Sequence, residues 1–284
     1  MFTKDSRILN HRLTVPLTSV SKAVGDVFKP TFEQLIKPLF ANNEQGFAYD
    51  PNDLSTMFQD AAGTVPVTGA GQPVGLIRDK SGRNNHAYQT TSASRPILRQ
   101  NAITGAYYLG FDGSDDFLVT NNIDFTSTNK VSLFTAVQNL SNNSQQFRIV
   151  FELSQSGAIY DGTFTLTSPH TYLDENQYSS KGSIRSSNML ASIQDTKRVI
   201  SARSSISSDT NNLRVNGVLK TLSSDQGTGN YGNYPLYIGR RGGSELAFNG
   251  HIYGLIGVGK LASDNEIAVI EKELAKRTGV TLSV

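Results

Sequence analysis

Three carboxylates stand close together in the segment YLGFDGSDDFLV, at Asp112, Asp115 and Asp116. Hard cations take oxygen ligands, and acids this near in sequence can converge on one ion, so the segment is a candidate calcium site. The competing account is that Asp112-Gly113 forms a turn and the following acids face water. An Asp-x-Asp-x-Asp-Gly loop with a distal Glu is absent, which removes an EF-hand. A second polar cluster holds Asp79, Ser81, Asn84, Asn85 and His86. Such side chains can offer donors and acceptors to sugar hydroxyls, or satisfy their own loop backbone through Asx-type turns. Tyr231, Tyr234, Tyr172 and Tyr178 fall in segments expected to be loops. In a chain without tryptophan, Tyr and Phe are the available platforms for stacking on a sugar ring, although packing the ring and wetting the hydroxyl is the common use of tyrosine. The candidate glycan-binding set is therefore Tyr231, Tyr234, Tyr178, Asn84 and His86.

Other constellations carry less. His11, His86, His170 and His251 are widely separated, with no metal-ligand spacing. Gly227-Thr-Gly229-Asn-Tyr-Gly232 lacks a following Gly-Lys-Ser/Thr and precedes a strand-like run, so it is a loop rather than a phosphate cradle. Arg240-Arg241, ahead of Gly242-Gly243, either face an acidic polymer or are simply solvated.

These residues must be positioned by strands. The chain has 284 residues, 37% of them hydrophobic, which suits one large all-β domain with an appendage or two ordinary domains. Short runs of Val, Ile, Tyr and Phe alternate with Ser, Thr, Asn and Gly, the texture of many short strands joined by polar turns. There is no cysteine, which excludes a disulfide scaffold, a thiol nucleophile and a cysteine zinc module. Residues 1–45 hold six Lys/Arg and four Asp/Glu, which accounts for the whole net charge of +2. This is no basic patch of the kind that grips phosphate backbones, so nucleic acid is not expected as a partner. The opening MFTKDSRILNHRLTV has no uninterrupted apolar stretch of the secretory kind, and no apolar window is long enough to span a bilayer. The expectation is a chain that folds in a cytoplasm without membrane insertion.

Along the chain, Thr31 to Phe40 places Phe32, Leu35, Ile36 and Leu39 at helical spacing, with Pro38 disrupting the last turn. So short a helix needs a surface to dock on. With the stretch before it, it reads as an N-terminal attachment arm, residues 1–45, packing on another chain. Tyr107 to Val119 reads as two strands around an Asp-Gly turn. Strands are also expected at Val131–Val137, Arg148–Leu153, Phe164–Thr167, Lys197–Ala202, Tyr234–Gly239 and Asn249–Val258. Asn211 to Leu222 is a hairpin turning at Asn216-Gly217. Ser263 and Glu266 make a capping box; Ile267, Ile270, Leu274 and less clearly Val269 make an apolar face; Gly279 stops the helix, predicting α-structure over 264–278. No 20–50-residue repeat is present, which disfavours propellers and solenoids.

Four segments in order carry a resemblance: residues 46–89, 108–119, 213–222, and 235–243 with 248–280. Together they resemble the concanavalin A-like (laminin-G-like) lectin/glucanase-fold modules of bacteriophage tail and virion proteins. The resemblance implies an all-β, concanavalin A-like jelly-roll β-sandwich over residues 46–284, with an extended and short-helical arm before it and the C-terminal α-helix after it. It also makes the loop around Asp79 look like a fold signature, and it supports calcium as the one cofactor to consider. Related hydrolases carry a Glu-x-Asp-x-x-Glu strand, since retaining chemistry needs two carboxyls about 5 Å apart. No such strand occurs: Glu152 stands alone, while Glu271 and Glu273 lie on the helix. No enzyme activity and no catalytic residue are therefore expected. The implied role is a virion protein (tail, collar or capsid-attached), held to other virion proteins through residues 1–45 and assembled as a homo-oligomer. Its sandwich would face host-surface polysaccharide. The alternatives are a decoration protein that binds no sugar and, further off, a polysaccharide depolymerase.

Overall fold

A computed structural model of the chain describes residues 30–140, 147–155, 160–169, 175–191 and 196–283. The expectations for residues 1–29, for His170 and for Tyr172 lie outside them. By its internal contacts the chain divides into Met1–Thr31 and Phe32–Val284, and all the helices and strands named below belong to the second unit.

Helix α1 (Phe32–Ile36) runs into a 3₁₀ turn, Lys37–Phe40. The strands are β1 (Gly46–Tyr49), β2 (Met57–Phe58), β3 (Leu76–Ile77), β4 (Ala87–Tyr88), β5 (Ile97–Gln100), β6 (Tyr107–Asp112), β7 (Leu118–Asp124), β8 (Lys130–Asn139) and β9 (Ile149–Leu153). They continue as β10 (Thr163–Thr167), β11 (Glu175–Lys181), β12 (Arg185–Ala191), β13 (Lys197–Ser205), β14 (Thr210–Val215), β15 (Val218–Ser223), β16 (Asn233–Ile238) and β17 (Asn249–Val258). Helix α2 (Asp264–Thr278) closes the unit.

Two antiparallel sheets face each other. The first is ordered β15-β14-β13-β8-β17-β6-β5, with β1 pairing the far half of β17; the second is β12-β11-β10-β9-β16-β7-β4-β3-β2. One continuous core lies between them, including Phe47, Phe111, Phe125, Phe151, Phe164, Leu236 and Leu255. This is the expected jelly-roll type of sandwich, and helix 264–278 and the Asn216-Gly217 hairpin stand where predicted. Asn216 and Gly217 both have positive φ (50° and 87°), the conformation a two-residue hairpin turn requires.

The two strands expected around Asp112-Gly113 form, and the turn carries the chain between layers, since β6 belongs to the first sheet and β7 to the second. Two expectations are corrected. Val269 is exposed rather than part of the helix's apolar face. Residues 32–40, read as part of an arm gripping another chain, pack on the sandwich's own outer surface. There Phe32, Ile36, Leu39 and Phe40 join Ala48, Phe134, Ala136, Val199, Tyr253 and Ile256 of the first sheet and Ile267, Ile270 and Leu274 of α2. Over β8, β13 and the far half of β17 the first sheet is thus covered on both faces, which explains why β8 and β17 are buried almost throughout. Pro38 fits because the helix has already tightened into the 3₁₀ turn, in whose first residues it sits.

Candidate functional site

The helices cover the middle of the first sheet and leave a hollow of about 430 Å³ at its β5–β6 edge, lined by Arg99, Tyr108 and His251 among others. Among the described residues no helix lies on the outer face of the second sheet. Strand register sets one row of side chains across it: Tyr88, Val119, Tyr237, Glu152, Thr165, Ser179 and Ser187, from seven neighbouring strands. At about 4.8 Å between strands the row is roughly 29 Å long. The alternation that builds it is plain in β10, TFTLT, whose Phe164 and Leu166 enter the core while Thr163, Thr165 and Thr167 face out.

Part of this row is sunk. A hollow of about 330 Å³ is lined by Phe147, Thr165, Thr167, Gln177, Arg185, Ser187 and Arg241. Glu152 forms part of the row beside it, only 1% exposed, and its carboxylate is fully engaged. It accepts from Arg241 Nε at 3.1 Å, from the Gly242 backbone N–H at 2.9 Å and from Ser154 Oγ at 3.2 Å. Burial raises the Glu152 carboxyl above its usual range, and the Arg241 charge and these hydrogen bonds oppose that rise. Burial also raises the Tyr237 hydroxyl, helped by the neighbouring Glu152 charge. Arg185 reaches from β12 to β11, donating from Nη2 to Ser179 Oγ at 3.0 Å and to Gln177 Oε1 at 3.4 Å. The arrangement offers hydroxyls, an amide and two guanidiniums beside the aromatic rings of Phe147 and Tyr237. It can hold a polar, multiply hydroxylated ligand.

The sites singled out from sequence fare differently. Tyr231 and Tyr178 are 1% and 0% exposed and belong to the core, so neither stacks on a ligand. Tyr178 lies on β11 rather than in a loop, and Tyr231 shares a 2.8 Å hydrogen bond with Ser180. Tyr234 is half-buried and donates to the Asp161 carbonyl at 3.1 Å. In the loop at 79–86, His86 Nδ1 accepts from the Asp79 backbone N–H at 3.0 Å. The Asp79 carboxylate accepts from the backbones of Ala48, Ser81 and Asn85. This loop ties β1 in place. Asn84 is its exposed, positive-φ corner. The structure brings neither Asn84 nor His86 together with the tyrosines into one site.

Asp112, Asp115 and Asp116 do converge, with ligand oxygens within 4.8 Å of one another. Each carboxylate is also a loop acceptor. Asp112 takes the Ser114 N–H at 2.8 Å, Asp115 takes Ser94 Oγ at 2.6 Å, and Asp116 takes the Asp112 N–H at 3.0 Å. Burial, with the Asp112 charge next, pushes Asp116 up to about 7. The donor set is of the oxygen type calcium prefers, and the turn account holds at the same residues.

Sequence reasoning named Glu152 and Arg241 but missed Gln177, Ser179, Arg185 and Ser187, because β11 and β12 were not recognised as strands. The outward Thr pattern of β10 was the available signal.

No protein-family model and no curated protein matches the sequence. Solved structures do resemble the fold. The receptor-binding domain of botulinum neurotoxin D matches with TM-score 0.52 and 11% identity, over 69% of this chain and 50% of that one. The serotype D ligand-binding domain in complex with N-acetylneuraminic acid gives 0.51 and 12%, over 69% and 48%. A botulinum neurotoxin type C structure, described through its interaction with two ganglioside molecules, gives 0.51 and 11%, over 70% and 48%. The chain therefore spans about half the length of the structures it matches, and at this identity what it shares with them is the β-sandwich fold.

Proposed function

We propose that this chain is a non-catalytic, carbohydrate-binding β-sandwich that takes a saccharide in the hollow on the open face of its second sheet. The observation that carries the proposal is the sunk polar row: Thr165, Gln177 and Ser179 are buried on a face that could have met water directly. Buried hydroxyls and amides beside Tyr237 and Phe147 match a sugar's alternation of hydroxyl edge and apolar ring face. The non-catalytic reading rests on the carboxylates. Among the described residues Glu152 is the one acid in the row, and three hydrogen bonds hold its carboxylate against the Arg241 side chain, the Gly242 backbone and Ser154 rather than leaving it free for acid or nucleophile chemistry. Two of the neurotoxin structures concern N-acetylneuraminic acid and gangliosides; they lend the reading a common fold, and the hollow lends it the chemistry.

For its setting we keep the bacteriophage particle that the sequence resemblance suggests. The chain is made in the host cytoplasm and joined to other virion proteins through the residues before α1. It is repeated as a homo-oligomer and turned toward host-surface polysaccharide. A bacterial glycan array probed with the folded chain tests the binding function. Binding that Gln177→Ala and Ser179→Ala weaken is expected, and silence across the array would sink it. Imaging of an assembled particle tests the setting.

A further inference from the structure

We infer that the saccharide taken by this hollow carries a carboxylate, held by Arg185 with Arg241 beside it; the inference rests on the glycan-binding reading above.

The argument is one of charge balance in a small space. Arg185 and Arg241 both line the hollow. Arg241 has its counter-charge in Glu152, through Nε to Oε2 at 3.1 Å. Arg185 does not: its contacts are the neutral oxygens of Ser179 and Gln177, and among the described residues no carboxylate pairs with it. The cation next to it across the strand pair, Lys181, is matched by Asp161 at 2.8 Å. Among the described residues Arg185 is therefore a cation of the hollow with no carboxylate partner. Burial and the nearby Arg241 charge both depress the Arg185 guanidinium, so the two cations disfavour each other while the site is empty of anion. An incoming carboxylate removes that repulsion. The planar fork of an arginine matches a carboxylate in two parallel hydrogen bonds, and Thr165, Thr167 and Ser187 are placed for the remaining sugar hydroxyls. A neutral sugar would leave the cation desolvated and without a partner, a costly arrangement.

The test is calorimetric titration of the whole chain with carboxylated oligosaccharides (oligogalacturonate, oligomannuronate, oligosialic acid), with their methyl esters, and with a neutral oligosaccharide panel. At least one acid is expected to bind, and its ester about tenfold or more weaker. Arg185→Gln should lose acid binding to the same extent, and Arg185→Lys should lie between. Raising ionic strength to about 0.5 M should weaken the acid selectively. Arg185 lies at the start of β12 and, among the described residues, bonds only to neutral groups, Ser179 and Gln177, so both variants should keep the wild-type circular dichroism. Esters or neutral sugars binding as well as acids, or Arg185→Gln binding acids within about twofold of wild type, would overturn the inference while leaving the glycan reading intact. A folded chain that binds no saccharide of any class removes both.

Discussion

Arg277 on α2 and Asp50, 227 residues earlier in the sequence and just past β1, form a buried ion pair at 2.7 Å. The same guanidinium donates to the Tyr253 carbonyl at 3.2 Å and lies 4.5 Å over the Phe32 ring. One side chain thus joins the closing helix, the first strand, the central β17 and the N-terminal helix. Removing one member strands the other charge in the interior. Arg277→Met should cost roughly 3–5 kcal/mol in denaturant unfolding. Arg277→Met with Asp50→Asn should cost less than Arg277→Met alone, because the orphaned charge is gone. Equal losses in the single and double variants would show that packing, not charge, is what Arg277 supplies.

The docking of residues 32–40 can be read by truncating their deepest side chain. Leu39 is wholly buried, so Leu39→Ala should destabilise the fold by roughly 2–5 kcal/mol, whereas half-buried Leu35→Ala should cost clearly less. Thermal or urea melts of the two variants decide it; a Leu39→Ala chain as stable as wild type would mean the segment is not held there.

Asp116 makes the pH dependence specific. Its pKa in the fold, about 7, lies above the ordinary 3.8, so the fold favours the neutral acid. Its contribution to stability is complete below about pH 4 and is lost as pH rises through 7. Asp116→Asn keeps an acceptor for the Asp112 N–H and removes the charge. In the presence of a chelator it should be more stable than wild type at pH 8, by roughly 2–4 kcal/mol, with no advantage at pH 4. Calcium added at pH 8 tests the cation reading: stabilisation of wild type that Asp116→Asn does not show would establish it.

The tyrosines separate core from site. Tyr231→Phe deletes the hydroxyl bonded to Ser180 and should cost about 1 kcal/mol of stability without altering glycan binding. Tyr237→Ala, on the open row, should weaken glycan binding and leave most of the stability. The opposite pattern on an array and in melts would return the site to the loops.

Much of the fold was legible because strong local signals agreed with the tertiary structure. Ser263, Glu266 and Gly279 cap α2 as their types dictate, and both capping-box hydrogen bonds form. Asn249–Val258, with apolar positions on both faces, became a central strand for the same reason it looked like one. The short strands between Gly46 and Gln100 escaped, and so did two longer ones, Glu175–Lys181 and Arg185–Ala191, ENQYSSK and RSSNMLA. Their inward positions include Asn176, Ser180, Ser186 and Asn188, buried polar side chains bonded to Ser168, Tyr231, Ser224 and backbone carbonyls. With polar groups facing both ways, no apolar alternation marks the strands. The candidate site was lost with them, since Gln177, Ser179, Arg185 and Ser187 are their outward residues. The loop tyrosines misled for a related reason: flanking Gly and Asn around Tyr231 suggested exposure, while its ring meets Phe164 edge-on at 5.7 Å inside the core.

The two helices lie over one sheet only, and this divides the molecule's evolutionary freedom. Substitutions under that shield disturb two packed layers at once and will be purged. The face opposite has no such second layer over it among the described residues, so substitutions there disturb one packed layer and leave the rest of the scaffold as it was.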